Sequence, residues 1–511
     1  MPITPLGALN TTALVVPDLY VQIIPPQAPS LNGVPTNVLG IVGTATWGPT
    51  NSPISIGSVA QAAALFGPQQ NRANDLVTAV AIAAQQGANA FRLVRVTDGS
   101  DLAATGVIQT NCLTLTSKYT GSFGNAISAS LSAGTQAGSW KLVIAAPGLV
   151  AESFDNLAVG LSGAALWTAI ANSVNAGVSA LRGPSGVIVA TAGGGAAAPA
   201  AATITLSGGT DGVASITTSV LLGQDITPRR GLYALRNTGC VAAMVTDLSD
   251  PTSYATQAAF GLSEGVYMVM TGPPGDNIAN AVATLASAGV DSYAAKLMFG
   301  DWVYWLDTVN NGVRLCSPQA FVAGQRAALS PHLSGLNQPL QGIVGTQKSY
   351  AGQQYASADF QTLAQGRIDL ITNPVPGGAY FALRLGHSTS SNPMTNGDNY
   401  ATLTNYIAAT LNAGMGRFVG GLQSATLRQQ AVATLSAYLQ TLQTQGMIGD
   451  PNGGPAFSVE IDAANNPPAR VALGFMQADV QVKYLATVEK FLINVQAGAS
   501  VQIVKPAALP T

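Results

Sequence analysis

The sequence predicts a multidomain chain of mixed α/β and α+β type, with a β-rich inserted domain and extended arms at the N- and C-terminal ends. Three observations predict this. A length of 511 residues exceeds what one ordinary core organises. Strand-helix-helix-strand patterning gives way near Gly99 to short apolar alternations separated by Gly, Ser and Thr, and it resumes after Thr227-Pro228. Both ends carry β-type residues fenced by Pro or Gly, with no helical period.

The elements follow in order. Pro2, Pro5, Pro17, Pro25, Pro26, Pro29 and Pro35 exclude a long N-terminal helix and favour an extended course. Within it, residues 14–16 and 19–24 are strand-like by residue type and stand without a local partner. A strand over 38–42 stops at Gly43. Ser58 opens a helix through Phe66 that Gly67-Pro68 ends, a second helix covers about 74–86, and residues 90–96 form a strand. The β-rich stretch, 99–223, holds strands at 112–117, 126–131 and 203–206, one helical patch at 157–176, and a low-complexity loop at 193–199. Strands at 241–245 and 266–270 and a helix near 276–288 follow. In the final third, helices are expected over 401–413 and 426–442. In the latter, Leu427, Ala431, Leu435, Leu439 and Leu442 recur at helical spacing, Ser424 caps the start and Gly446 ends it. Strands at 457–461 and 470–475 and a long alternating stretch, 480–495, lead to an extended tail, 499–504, between Gly498 and Pro506.

Charged residues make up 9% of the chain, against about 25% in an average soluble protein, so neutral polar residues must cover the surface. Such a skin repels its own copies little, which suits self-packing. The net charge of -2 and the absence of Lys/Arg runs argue against a nucleic-acid partner. Residues 1–10 carry no basic residue ahead of an apolar core, and stretches such as 76–84 fall short of the roughly 20 residues that span a bilayer, so a soluble, unexported chain without membrane insertion is expected. Cys112, Cys240 and Cys316 are odd in number and far apart, and read as buried free thiols.

Catalytic signatures find little support. Gly261-Leu262-Ser263-Glu264-Gly265 fits GxSxG, but a nucleophile elbow needs a strand before the serine and a helix after it, and here the order is reversed. His332 and His387 are the two histidines, and neither sits in a local Ser/His/Asp pattern. No HxxH, HExxH or paired cysteines support zinc, and Glu460 with Asp462 reads as a solvated strand face. The glycines at 40, 43, 414, 416, 420 and 421 match neither GxGxxG nor GxxxxGK[ST]. No cofactor, metal or catalytic residue is expected. The apolar ends have a physical reading: an extended segment satisfies its backbone by joining a neighbour's open sheet edge.

Several segments in order resemble the tail sheath family of contractile phages. Pro17-Asp18-Leu19-Tyr20-Val21-Gln22 is similar to the family's PGVYV arm segment, with Asp18 and Leu19 replacing Gly-Val. Thr36 through Pro53 is similar to its T.V.GIVG.A..GP.N.P signature, and Phe91-Arg92-Leu93-Val94-Arg95-Val96 stands where YVVRV is usual. Gly121-Ser122-Phe123-Gly124-Asn125 and Leu206-Ser207-Gly208-Gly209-Thr210-Asp211-Gly212 resemble its G..GN and L.GG.DG segments. The final third departs most and carries no copy of the family's NVRR helix start.

The resemblance implies an N-terminal arm over 1–24, a sheath body from 25–98 and 366–497, a β-rich outer domain over 99–223, a non-catalytic subtilisin-like middle domain over 224–365, and a C-terminal arm over 498–511. It implies a virion structural protein, a tail sheath assembled in the host cytoplasm, whose partners are many copies of itself, the tail tube, the baseplate and the tail terminator. The expected intersubunit arm contacts are Leu14, Val16, Leu19, Tyr20, Val21, Ile23, Val501, Ile503 and Val504. The alternatives are the sheath of a phage-tail-like bacteriocin or injection system, a serine hydrolase using Ser263, and a β-rich adhesin, which would need an export signal.

Overall fold

The computed structural model describes residues 3–5, 21–23, 31–493 and 495. Strands β1 (Ile3–Pro5) and β2 (Val21–Ile23) pair in parallel. This corrects the expectation that the 19–24 segment lacks a local partner: residues 3–5 supply one, with Pro5 at the strand end, where its missing N–H costs least.

The first α/β stretch comprises β3 (Val38–Gly43), β4 (Ile54–Ile56), α1 (Val59–Phe66), α2 (Leu76–Gln85) and β5 (Ala90–Arg95). Ser58 and Asp75 cap the two helices by accepting from the N–H groups of Gln61 and Thr78. The β-rich stretch gives β6 (Ala103–Gln109), β7 (Leu113–Thr120), β8 (Ser128–Ala133), β9 (Trp140–Ala145), β10 (Glu152–Leu157), α3 (Gly163–Ala176), β11 (Ile188–Ala192) and β12 (Ala202–Thr205). They form two antiparallel sheets, ordered β10-β9-β8-β12 and β11-β7-β6.

The chain then runs through α4 (Thr218–Leu222), β13 (Ala242–Val245), α5 (Tyr254–Glu264), β14 (Tyr267–Thr271), α6 (Ile278–Ser287), β15 (Ala295–Met298), β16 (Val303–Asp307), β17 (Gly312–Cys316), α7 (Gln319–Ala328), β18 (Ile343–Thr346), α8 (Gln347–Tyr350) and α9 (Ser357–Gln365). It closes with β19 (Ile371–Thr372), β20 (Ala382–Leu383), α10 (Asp398–Met415), α11 (Ala425–Thr444), β21 (Phe457–Glu460), α12 (Pro468–Ala472) and β22 (Asp479–Val482).

The central sheet has the order β15-β14-β13-β3-β5-β4, parallel except for β4. A sheet buried on both faces needs apolar residues in both phases of the period of two, and β3 is buried throughout. Leu39 and Ile41 join a core with α2 and α7, whereas Val38 and Val42 join one with α5 and α6. The chain leaves β3 toward β5 on one side, while β13, β14 and β15 extend the sheet on the other, so the strand order reverses between β3 and β13.

The two antiparallel sheets and α3 share a separate core containing Trp167, Leu142 and Phe154. Trp47, from the loop after β3, is buried in that core and meets Tyr119 edge-on at 5.3 Å between centroids. Arg95 is buried and donates to the carbonyls of Gly48 and Thr120, both at 2.8 Å, and of Asp211 at 3.3 Å. These two side chains fix the β-rich part to the central sheet. The three cysteines are buried and free, as the sequence implied.

Two further expectations are corrected. Residues 470–475 were expected as a strand, but 468–472 form α12, since Pro468 at its start presets a helical φ and forfeits an N–H that no helix partner needs. The alternating stretch 480–495 is a strand only to Val482; Lys483 still bonds the Ala456 carbonyl and the Gly449 N–H, and beyond it no ladder continues among the described residues.

Candidate assembly surface

Helices α10 and α11 with β21 and β22 enclose a small core of Leu403, Ile407, Tyr438, Leu439, Leu442 and Ile448. Ser424 accepts from the Leu427 N–H at 3.1 Å and caps α11, and Gly446, at φ 70, follows its end. Among the described residues, strands β21 and β22 pair only with each other. Phe457, Val459, Val480 and Val482 pack inward, while Ser458, Glu460, Asp479 and Gln481 point to solvent. Among the described residues no further strand joins the outer edge of either, which leaves the sheet able to accept one.

The described chain toward both ends lies on this unit. Leu31 packs beside Gly414, and the Val34 N–H donates to Thr410 Oγ1 at 3.2 Å. Past β22, the Lys483 N–H donates to the Ala456 carbonyl at 2.8 Å, its amine pairs with Asp450, and Tyr484 meets Thr404 Oγ1 at 3.1 Å. The Lys483 bond holds the Asp450 carboxyl below its ordinary range, and burial raises the Tyr484 phenol. His387 Nε2 and Glu489 Oε1 lie 2.8 Å apart. Beyond this tie, Phe491 and Leu492 are 83% and 82% exposed. Ile493 and Val495 are exposed as well, as is Val488 just before it. Burying one such side chain is worth about 1.5–3 kcal/mol, so the row is a strong drive toward a partner surface.

Of the expected arm contacts, Val21 and Ile23 lie in β2, while Leu14, Val16, Leu19, Tyr20, Val501, Ile503 and Val504 lie outside the described residues. Sequence reasoning missed Val488, Phe491, Leu492, Ile493 and Val495 because their alternation read as a strand of the body. The missing signal was a neighbouring segment able to pair with it.

The hydrolase motif is taken apart by the fold. Ser263 lies inside α5, its hydroxyl donates to the Phe260 carbonyl at 3.0 Å, and Gly265 is the left-handed residue that ends the helix. His387 is committed to Glu489. Among the described residues, no cluster of His, Cys, Asp and Glu is arranged to hold a metal ion, and no helix is long and apolar enough to cross a membrane. Asp462 accepts the backbone N–H groups of Asn465 and Ala464, which lower its carboxyl, while Asp462 raises that of Glu460.

The doubly wound sheet, the two antiparallel sheets beside it and the helical unit with its open two-stranded sheet together make the fold of the sheath proteins of contractile tails. Residues 36–103 match the family described as tail sheath protein Gp18, domain III N-terminal region. The crystallised sheath tail protein of Listeria innocua is similar at 14% identity over 90% of this chain and 94% of that one, with a TM-score of 0.62. That of Desulfitobacterium hafniense is similar at 17% identity, 86% and 93% coverage and a TM-score of 0.57. The contracted PVC sheath complex of an extracellular contractile injection system is similar at 13% identity, 96% and 99% coverage and a TM-score of 0.56. No curated protein sequence matches the chain.

Proposed function

We propose that the protein is the structural subunit of a contractile sheath, which polymerises around a tail tube and contracts to drive the tube through a cell envelope. The observation that carries this reading is the exposed apolar segment from Val488 to Val495 beside a two-stranded sheet that no further strand joins among the described residues, on a chain with the sheath fold. A segment that leaves its own subunit and a sheet that accepts further strands are complementary halves of one linkage. Residues 14–24 and 499–504 are the arms that complete it, with Leu14, Val16, Leu19, Tyr20, Val21, Ile23, Val501, Ile503 and Val504 as contacts. The β-rich part, 99–223, is an inserted outer domain, 224–365 is the middle domain, and 25–98 with 366–497 make the sheath body.

In this reading the subunits stack in the extended state as a metastable helix. A baseplate signal releases a packing of lower energy, and the work comes from bistable contacts rather than from a bound nucleotide. The partners are copies of the same chain, the tube, the baseplate and a terminator, in a phage virion. The likeness to the PVC sheath and to that of the anti-feeding prophage favours an injection system as the second reading. Negative-stain microscopy of the purified chain tests the proposal: hollow striated tubes are expected, and discrete monomers or dimers at high concentration refute it.

A further inference from the structure

In open α/β sheets the crevice outside the C-terminal strand ends, where the strand order reverses, is where ligands bind. Here that point lies beyond Gly43 of β3 and Val245 of β13, and it opens into a crevice of about 210 Å³ lined by Arg72, Asp75, Thr246, Asp247, Trp302 and Arg314, among others. Asp75 is 1% exposed. Its Oδ2 accepts from the N–H groups of Gln70 and Thr78 at 3.1 and 2.9 Å and from the Thr78 hydroxyl at 2.7 Å. Its Oδ1 has no partner within the protein, nor does the hydroxyl of Thr246, which is 4% exposed. Arg72 Nε and Nη2 are also buried without partners, while its Nη1 donates to Asp211 Oδ2 at 2.6 Å. Arg72 Nε stands 3.9 Å from Asp75 Oδ1, too far for a direct hydrogen bond and the distance at which a bridging molecule fits.

The chemistry of the lining selects the occupant. The guanidinium groups of Arg72 and Arg314 stand against the carboxylates of Asp75, Asp247 and Asp307, so an ion of either sign meets a like charge. The unpartnered atoms are two guanidinium donors, one carboxylate acceptor and one hydroxyl. They call for a neutral molecule that both donates and accepts and is small enough to reach each atom separately. A Cβ at Gly43 would come within 2.7 Å of the Asn74 carbonyl, so a side chain there does not fill the crevice without displacing backbone.

We propose that this crevice is a built water site, in which a small cluster of ordered water molecules joins Arg72 Nε and Nη2 to Asp75 Oδ1 and Thr246 Oγ1. The volume suffices for several molecules at roughly 30 Å³ each. The cluster ties the β-rich part, held directly by Arg72 on Asp211, to the α2 cap and the central sheet through exchangeable bonds. A crystal or cryo-EM structure of the full chain, at a resolution that shows ordered water, tests this. Discrete peaks at about 2.7–3.2 Å from Asp75 Oδ1 and Thr246 Oγ1 are expected. In Thr246→Val the peak at residue 246 is lost and the one at Asp75 remains. Direct Arg72–Asp75 pairing with no peak, a coordinated ion, or continuous density of an organic molecule would overturn the proposal. The wild-type map decides it even where the variant fails to fold.

Discussion

Arg95 shows how much one side chain can carry. Its guanidinium is fully buried, joins three separate stretches of backbone, and burial lowers its pKa to about 10, still far above neutrality. Arg95→Ala leaves buried carbonyls without donors and opens a cavity, so a loss of more than about 3 kcal/mol is expected, read as a lower denaturant midpoint. The sequence placed Arg95 in a strand, but not against Gly48 and Thr120, because alternation gives the face of a strand and not which loops return to it. Asp211 adds a pH dependence. Burial raises its carboxyl, but the Ser122 N–H and Arg72 outweigh this and hold it below its ordinary value. A depressed folded value gives stability that is present above the unfolded pKa of about 3.9 and lost as pH falls through the folded one. Asp75 and Asp247, raised by burial, act in the opposite sense, so the comparison must isolate Asp211. The difference in melting temperature between wild type and Asp211→Asn is expected above about pH 4 and should close below it. A constant difference would deny the carboxylate this role.

Among elements, α11 was the most legible. Leu435, Leu439 and Leu442 are buried as their spacing requires, and Ser424 caps the first turn. Ser424→Ala is expected to cost about 1 kcal/mol without altering the fold, seen as a lower melting temperature with unchanged far-UV circular dichroism. β3 was equally plain, because a run buried on both faces is apolar in both phases. The segment after Val482 was not legible: its alternation is that of a strand, and whether a strand forms depends on a partner that a single chain does not display. The order of the central sheet was beyond sequence for a related reason. Strands separated by more than a hundred residues, such as β5 and β13, are brought to either side of β3 by packing, and no local pattern encodes that.

For the whole molecule, the low charge makes a prediction. With 9% charged residues, association rests on apolar burial and backbone pairing, which salt screens little, so tube formation is expected to change little between low and high ionic strength. Dissociation on adding salt would point to ion pairs instead. Truncation before Pro25 or after Gly498 is expected to leave folded subunits that no longer form a linked lattice, judged by circular dichroism and microscopy together. Unchanged polymers would refute the arms. Finally, Leu31 and Val34 lie at Gly414 and Thr410 of α10, while Tyr484 lies at Thr404. The two exits are thus separated along one helix by about 9–15 Å. Pulled from both ends, the subunit would pass part of the tension through the contacts on α10, as a link passes it across its bar, and so relieve the longer path through the central sheet and the β-rich part.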